Sequence, residues 1–199
     1  MDHPLERDID KRLATRLKSA RQRRDLTLDV LAERTGVSRA MISRIERGES
    51  SPTAALLDRL TAGLGVTLSS LFHEERHAGP VARLVDQPVW LDPGTGYVRR
   101  NVSSPGIGSP VEIVDVTLPP GARVLLDGPR MLHRLDQQVW LLAGEIELSF
   151  GGASHRLRSG DCIHMLLDGP ITYHNPGPEP ARYAVVLMTA DGLSQERPR

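Results

Sequence analysis

Residues 28–45 read L-D-V-L-A-E-R-T-G-V-S-R-A-M-I-S-R-I, and E-R-G-E-S-S-P-T follows at 46–53. This stretch decides the fold of the N-terminal part of the chain. It predicts two short helices joined by a tight turn. Leu31, Ala32, Val37, Ile42 and Ile45 fall where two crossing helices must touch. Gly36 stands at the turn, where a backbone with positive φ costs least in glycine. Thr27 and Ser38 precede the two helices, and each hydroxyl can accept an otherwise orphaned N–H of the following turn. The second helix then turns Arg39, Ala40, Ser43 and Arg44 outward. That is the layout of a helix-turn-helix, whose second helix enters the major groove of DNA.

Working outward, residues 8–24 predict an amphipathic first helix with Ile9, Leu13, Leu17 and Ala20 on one stripe. Thr53, after Ser51-Pro52, opens a fourth helix carrying Leu56, Leu57 and Leu60, which Gly63 to Gly65 end. Residues 67–72 predict a fifth, giving a five-helix unit over 1–72. Residues 73–80, H-E-E-R-H-A-G-P, lack an apolar period and read as a linker.

Beyond Pro80 the texture changes to short β-rich runs separated by proline and glycine. Eight such runs lie at 89–91, 97–102, 111–118, 137–143, 145–150, 154–157, 161–165 and 182–188. Gly151-Gly152 reads as a hairpin turn. Many short strands with regular turns predict an all-β sandwich or barrel over 81–190, followed by a polar tail at 191–199.

The formal net charge is zero, but it is unevenly spread. Residues 1–72 hold 13 Lys+Arg against 10 Asp+Glu, and residues 73–199 hold 12 against 15. Lys11, Arg12, Arg16, Lys18, Arg21, Arg23 and Arg24 crowd the first helix, and a local basic face can serve phosphates in a neutral molecule. The single cysteine, Cys162, cannot form an internal disulfide. No apolar run approaches the ~18–20 residues that cross a bilayer, and the N-terminus lacks a secretory pattern. These features predict a cytoplasmic protein without a membrane partner.

The first 72 residues resemble the phage-repressor-like (XRE) helix-turn-helix family. The likeness runs from L-K-S-A-R-Q-R-R-D-L-T-L through V-S-R-A-M-I-S-R-I-E-R-G-E-S-S-P-T to L-G-V-T-L-S-S-L-F. It implies a recognition helix over about Ser38 to Glu46, with Arg39, Ala40, Ser43 and Arg44 at base-facing positions. Arginine can grip guanine O6 and N7, worth ~1–3 kcal/mol of discrimination per good pair, and Ala40 can touch a thymine methyl. Thr27, Ser38 and Ser43 can donate to phosphates. Arg21 and Glu46 match a pair that forms a structural salt bridge in this family, so Arg21 is read as scaffold first.

The second half resembles a cupin, a double-stranded β-helix barrel. Its landmarks are P-P-G-A-R at 119–123, Q-Q-V-W-L-L-A-G-E-I-E-L at 137–148, L-R-S-G-D-C-I at 157–163 and H-N-P-G-P-E-P-A-R-Y at 174–183. The resemblance implies metal-ligand positions at Met131, His133, Gln137 and Ile171, anchored by Gly144 and Asn175. One ligand in four survives, and a thioether, an amide and an alkyl chain are poor replacements for imidazole and carboxylate. No metal, no other cofactor and no enzyme activity are therefore expected. Alternation places Met131, His133, Gln137, Val139, Ile171 and Tyr173 on one interior face, a mostly apolar pocket suited to a small-molecule effector.

The expectation is a multidomain α + β protein: a helix-turn-helix domain followed by a cupin. It would bind a double-stranded DNA operator as a homodimer and regulate transcription in response to an effector. Other readings stand beside it. The barrel can be a packed dimerisation scaffold without ligand, or a metal-dependent enzyme with a DNA-binding appendage. The helices can serve protein contacts, as in an antitoxin.

Overall fold

The computed structural model describes residues 4–72, 80–103, 109–127 and 135–188. Four α-helices come first: α1 Pro4–Gln22, α2 Leu28–Thr35, α3 Arg39–Glu46 and α4 Ala54–Leu64. The expected fifth helix is a single 3-10 turn, Ser69–Phe72. Its backbone bonds run three residues back, Ser70 N–H to the Thr67 carbonyl and Leu71 N–H to the Leu68 carbonyl. Four residues are too few for an α-helix to recover its nucleation cost. The first helix also starts earlier and stops earlier than expected. It ends at Gln22 because Asp25 turns into the left-handed region, φ 53°, and Leu26 N–H closes back on the Arg21 carbonyl.

Leu13, Leu17 and Ala20 of α1 are buried with Leu31, Ile42, Ile45, Leu57 and Leu60 of the other three helices. Each fully buried leucine or isoleucine contributes about 1.5–3 kcal/mol. Gly36 ends α2 at φ 66° and sends its N–H to the Ala32 carbonyl. Gly63 does not end α4, which runs to Leu64 and is capped by Gly65. It is instead a contact glycine: a Cβ there would lie 2.3 Å from Thr35 Cγ2.

Ten strands follow among the described residues: β1 Val89–Leu91, β2 Val98–Asn101, β3 Val111–Leu118, β4 Arg123–Leu126, β5 Leu135–Ala143, β6 Glu145–Phe150, β7 Ala153–Arg158, β8 Cys162–Leu167, β9 Ile171–His174 and β10 Ala181–Met188. They form a six-stranded sheet, β1-β2-β3-β10-β5-β8, and a four-stranded sheet, β4-β9-β6-β7. Every pairing is antiparallel. From β3 to β10 the chain passes between the two sheets in jelly-roll order, closing most edges against each other. Strands β4 and β9 are absent from the eight expected runs. R-V-L-L shows no regular polar–apolar alternation, and I-T-Y-H alternates over four positions only.

Burial alternates along the long strands, B-e-B-i-B-i-B-i in β10. The inward sets include Val116, Leu118, Val139, Leu141, Tyr183 and Val185 from the larger sheet and Ile146, Leu148, Ile171 and Tyr173 from the smaller. Two landmark residues have physical roles. Gly144, at φ 78°, passes so close to the next strand that a Cβ would sit 3.0 Å from Ala181 Cα. Asn175 is fully buried. Its amide donates to the carbonyls of Leu118 and Glu179, and its oxygen accepts the Gly177 N–H.

The two halves share one apolar cluster. Phe72 stacks obliquely on Trp90, which meets Tyr97 edge-on, at centroid separations of 6.1 and 6.3 Å. A polar tie crosses the junction as well. Asp92, buried at the start of the β1–β2 turn, accepts the Ala54 N–H at the start of α4 at 3.1 Å. Thr67 Oγ1 donates to Glu112 Oε1 at 3.3 Å. Arg12 and Arg16, expected within a basic face, line a shallow depression with Leu71, Phe72 and Pro88 at this junction. Apart from Pro80, the expected linker lies outside the described residues, as does the expected tail.

Candidate nucleic-acid interface

The geometry of α2 and α3 follows from their caps. Thr27 Oγ1 accepts the Val30 N–H and Ser38 Oγ accepts the Met41 N–H, both at 3.2 Å. These caps satisfy orphan donors, and both residues are exposed at helix starts, where phosphates are favoured. Ile42 and Ile45 are buried, so α3 is anchored by one face. Arg39, Ala40 and Arg44 are exposed on the other, and Ser43 is half-buried. Each of the six expected DNA-binding residues thus sits on or directly before α2 or α3.

The scaffold under α3 is a largely buried ion pair. Arg21 Nε and Nη2 donate to the two oxygens of Glu46 at 2.7 Å each, and Nη1 donates to the Leu26 carbonyl at 2.8 Å. The hydrogen bond to Glu46 holds the guanidinium above its ordinary pKa against the opposing effect of burial. One arginine therefore fixes the end of α1, the turn before α2 and the C-terminal end of α3. Removing either partner of such a pair costs about 3–5 kcal/mol.

The exposed arginines are less constrained. Arg39 Nε lies 3.2 Å from Asp29 Oδ1, with the two side chains 63% and 75% exposed. Exposed pairs are generally worth ~0–1 kcal/mol. A bidentate guanine contact is worth ~1–3 kcal/mol, so a base edge can outcompete Asp29. Ser43 Oγ accepts from Arg47 Nη1, and its own O–H remains to donate. Arg47 also forks onto Glu49 at 2.6 and 2.7 Å. That contact lowers the Glu49 carboxyl below its ordinary pKa, and Arg44 adds to the effect. Arg24 reaches the carbonyls of Ala20 and Gly65 at 3.3 Å, tying helix ends together.

In the barrel interior, Gln137 and Val139 point inward from β5, Ile171 and Tyr173 from β9, and all four are buried. Met131 and His133, the other two expected pocket residues, lie outside the described residues. Gln137 Nε2 donates to the Tyr173 hydroxyl at 2.5 Å and approaches Met165 Sδ at 3.9 Å. Tyr173 stacks parallel to Tyr183, 5.6 Å apart. Burial raises both phenols above their ordinary pKa. Strand β9 pairs with β4, with Val124 opposite Tyr173, and α4 packs against β4, so one strand separates this cluster from the helical unit.

Sequence reasoning missed Asp92, because the helix end that it caps lies 38 residues earlier. The only local sign is the turn signal D-P-G-T-G at 92–96.

A family model described as helix-turn-helix matches residues 17–71. The HTH-type transcriptional regulator SutR of Escherichia coli (strain K12) is 48% identical over 68 residues, which are 34% of this chain and 38% of SutR. Control protein C.MunI of Mycoplasma sp is 35% identical over 68 residues, 34% of this chain and 92% of that protein. Both halves are matched by a crystal structure of an HTH_3 family transcriptional regulator from Vibrio cholerae. It has a TM-score of 0.76 and 26% identity, covering 92% of this chain and 98% of that one.

Proposed function

Because this chain belongs to the helix-turn-helix family, we propose that it is a sequence-specific DNA-binding transcription regulator, cytoplasmic and without enzymatic activity. The observation that carries this reading is the outer face of α3. Arg39, Ala40 and Arg44 stand exposed on a helix braced from behind by the Arg21–Glu46 fork. In a DNA complex Arg39 and Arg44 read guanine edges and Ala40 packs on a thymine methyl. Thr27, Ser38 and Ser43 hold phosphates. An eight-residue helix reads few base pairs, so the functional unit is a homodimer on a two-fold site.

The β unit is read as a cupin, a reading supported by its jelly-roll strand order and by the roles of Gly144 and Asn175. In this reading the barrel joins two chains and takes up a small-molecule effector near Gln137, Val139, Ile171 and Tyr173, with Met131 and His133 contributing. Strand β4 lies between this cluster and α4, so a ligand there would bias the DNA-binding unit through differential contacts. A second reading is favoured by the Gln137–Tyr173 hydrogen bond and the Tyr173–Tyr183 stack, which fill space a ligand would need. In that case the barrel is a packed assembly module.

Selection of bound sequences from a random DNA pool, followed by anisotropy titrations, tests the DNA reading. Affinity for the selected site should fall linearly in log–log form with salt. Arg44→Ala should weaken it by ~1–3 kcal/mol and relax preference at one base pair. Equal affinity for all sequences, or no effect of Arg44→Ala, would refute it. A melting-temperature screen of the full chain against metabolites and metals separates the two barrel readings. A ligand at a hundredfold excess over its Kd adds about 2.7 kcal/mol.

A further inference from the structure

Two arginines at the ends of α3 already face carboxylates in the free protein. At the start of the helix, Arg39 Nε lies 3.2 Å from Oδ1 of Asp29, which stands in the first turn of α2. At its end, Arg47 forks onto Glu49 through Nε and Nη2 at 2.6 and 2.7 Å, and its Nη1 donates to Ser43. The two pairs differ in what they leave open. Arg47 is engaged at all three nitrogens. The Asp29 contact is made at Nε, which leaves the Nη1–Nη2 end of Arg39 for a second planar partner.

Stability does not account for a carboxylate at this place. Both side chains of the Arg39–Asp29 pair are mostly exposed, and ion pairs screened by water contribute little to folding. The two helices are held by other means, the Thr27 and Ser38 caps and the Arg21–Glu46 fork. What Asp29 changes is the choice open to Arg39. Phosphates attract any free cation whatever the sequence, through counterion release. A paired cation releases fewer counterions, and its carboxylate repels the phosphates that approach it. A guanine edge offers two neutral acceptors, O6 and N7, which the Nη pair can fork onto while Nε stays on the carboxylate.

We propose that Asp29 is a specificity-determining residue, which positions Arg39 for a base edge and denies it to the phosphates of unrelated DNA. The inference rests on the DNA-binding reading above and deepens it, since Asp29 lies outside the six residues assigned to contact DNA. Its consequence is quantitative. A phosphate contact adds ~0.9 to the slope of log affinity against log salt, about eightfold in affinity at 0.1 M relative to 1 M. Asp29 withdraws one such contact from the non-specific complex. The specific complex, in which Arg39 spends its charge on a base, loses nothing comparable.

Anisotropy titrations of the full chain test this, on the selected site and on an unrelated duplex of equal length, from about 50 to 300 mM salt. Asp29→Asn removes the charge at constant shape. It should raise affinity for the unrelated duplex about eightfold at 0.1 M salt and steepen that salt slope by ~0.9. Affinity for the selected site should stay level or fall, and repeated selection should relax preference at the same base pair that Arg39→Ala relaxes. In an Arg39→Ala background, Asp29→Asn should leave the ratio between the two duplexes unchanged. Glu49→Gln is the contrast: it frees Arg47 for phosphates in both complexes, so both affinities should rise together. Asp29→Ala repeats the measurement should Asp29→Asn misfold. An acid in the first turn of α2 also suits the helix dipole. A role confined to that would lower the melting temperature and leave the salt slope and the base preference unmoved. An unchanged ratio in both Asp29 variants, or the same change with Arg39 absent, overturns the proposal while wild type still prefers its site. A wild type that binds no DNA, or binds all duplexes equally, overturns the regulator reading, and this inference with it.

Discussion

Replacing Asp92 by alanine should cost about 3 kcal/mol, although the residue touches neither the recognition helix nor the barrel interior. The side chain is 2% exposed and accepts three hydrogen bonds. They come from Ala54 N–H at 3.1 Å, Gly94 N–H at 3.2 Å and Thr95 O–H at 2.5 Å. Hydrogen bonds to a charged acceptor are worth ~1.5–3 kcal/mol, and the strongest of the three is the short one to Thr95. Loss of the Ala54 contact strands a buried helix-start donor, at about 1 kcal/mol. It also removes a negative charge from the positive end of the α4 dipole, ~0.3–1 kcal/mol. These terms overlap, which is why the sum is set near 3. In a chain of this size 1 kcal/mol moves Tm by ~2–4 °C, so Asp92→Ala should lower it by roughly 6–12 °C in calorimetry. Asp92→Asn keeps an oxygen toward Ala54 and should lose about 1 kcal/mol. The shared apolar cluster predicts that both halves melt in one transition. A shift below about 2 °C for Asp92→Ala, or two separate transitions in wild type, would refute the argument.

Two further outcomes follow from the packing. Gly63→Ala should gain about 1 kcal/mol of helix propensity and lose more than that to overpacking, typically ~1–3 kcal/mol. The new methyl would meet buried Thr35, whose hydroxyl is already bonded to the Leu31 carbonyl; an unchanged or raised Tm would show that α2 and α4 move apart freely. Tyr173 and Tyr183 have folded pKa values above their unfolded value of 10.0. The folded state thus holds these protons after the unfolded state has released them, so their contribution is intact below pH 10 and falls as pH rises above it. Absorbance at the phenolate band should show both tyrosines ionising together with loss of the folded circular dichroism signal, and ionisation before unfolding would contradict their burial.

The helix-turn-helix was legible because its signals are local. Thr27, Ser38 and Gly36 each act on backbone groups within four residues, and the structure finds all three making those contacts. Strands β3 and β6 were legible to the residue because alternation runs six or eight positions and breaks at glycine or proline. Legibility failed where the cause lies far along the chain. Gly63 reads as a helix end by composition, yet its role is set by Thr35 on another helix. The 3-10 turn at Ser69–Phe72 carries the same apolar spacing as the first turn of an α-helix. The pocket residues Gln137 and Tyr173 were assigned to one interior face, but nothing local says that they bond to each other.

The joint between the two halves bears on how such chains diversify. A seam built from Phe72, Trp90 and an aspartate serving a foreign helix makes the halves poor candidates for exchange. A recombinant carrying these helices on an unrelated barrel would inherit an unserved α4 terminus and a bare Phe72. Its barrel would have to evolve an equivalent of Asp92 before the helices were held as firmly as they are here.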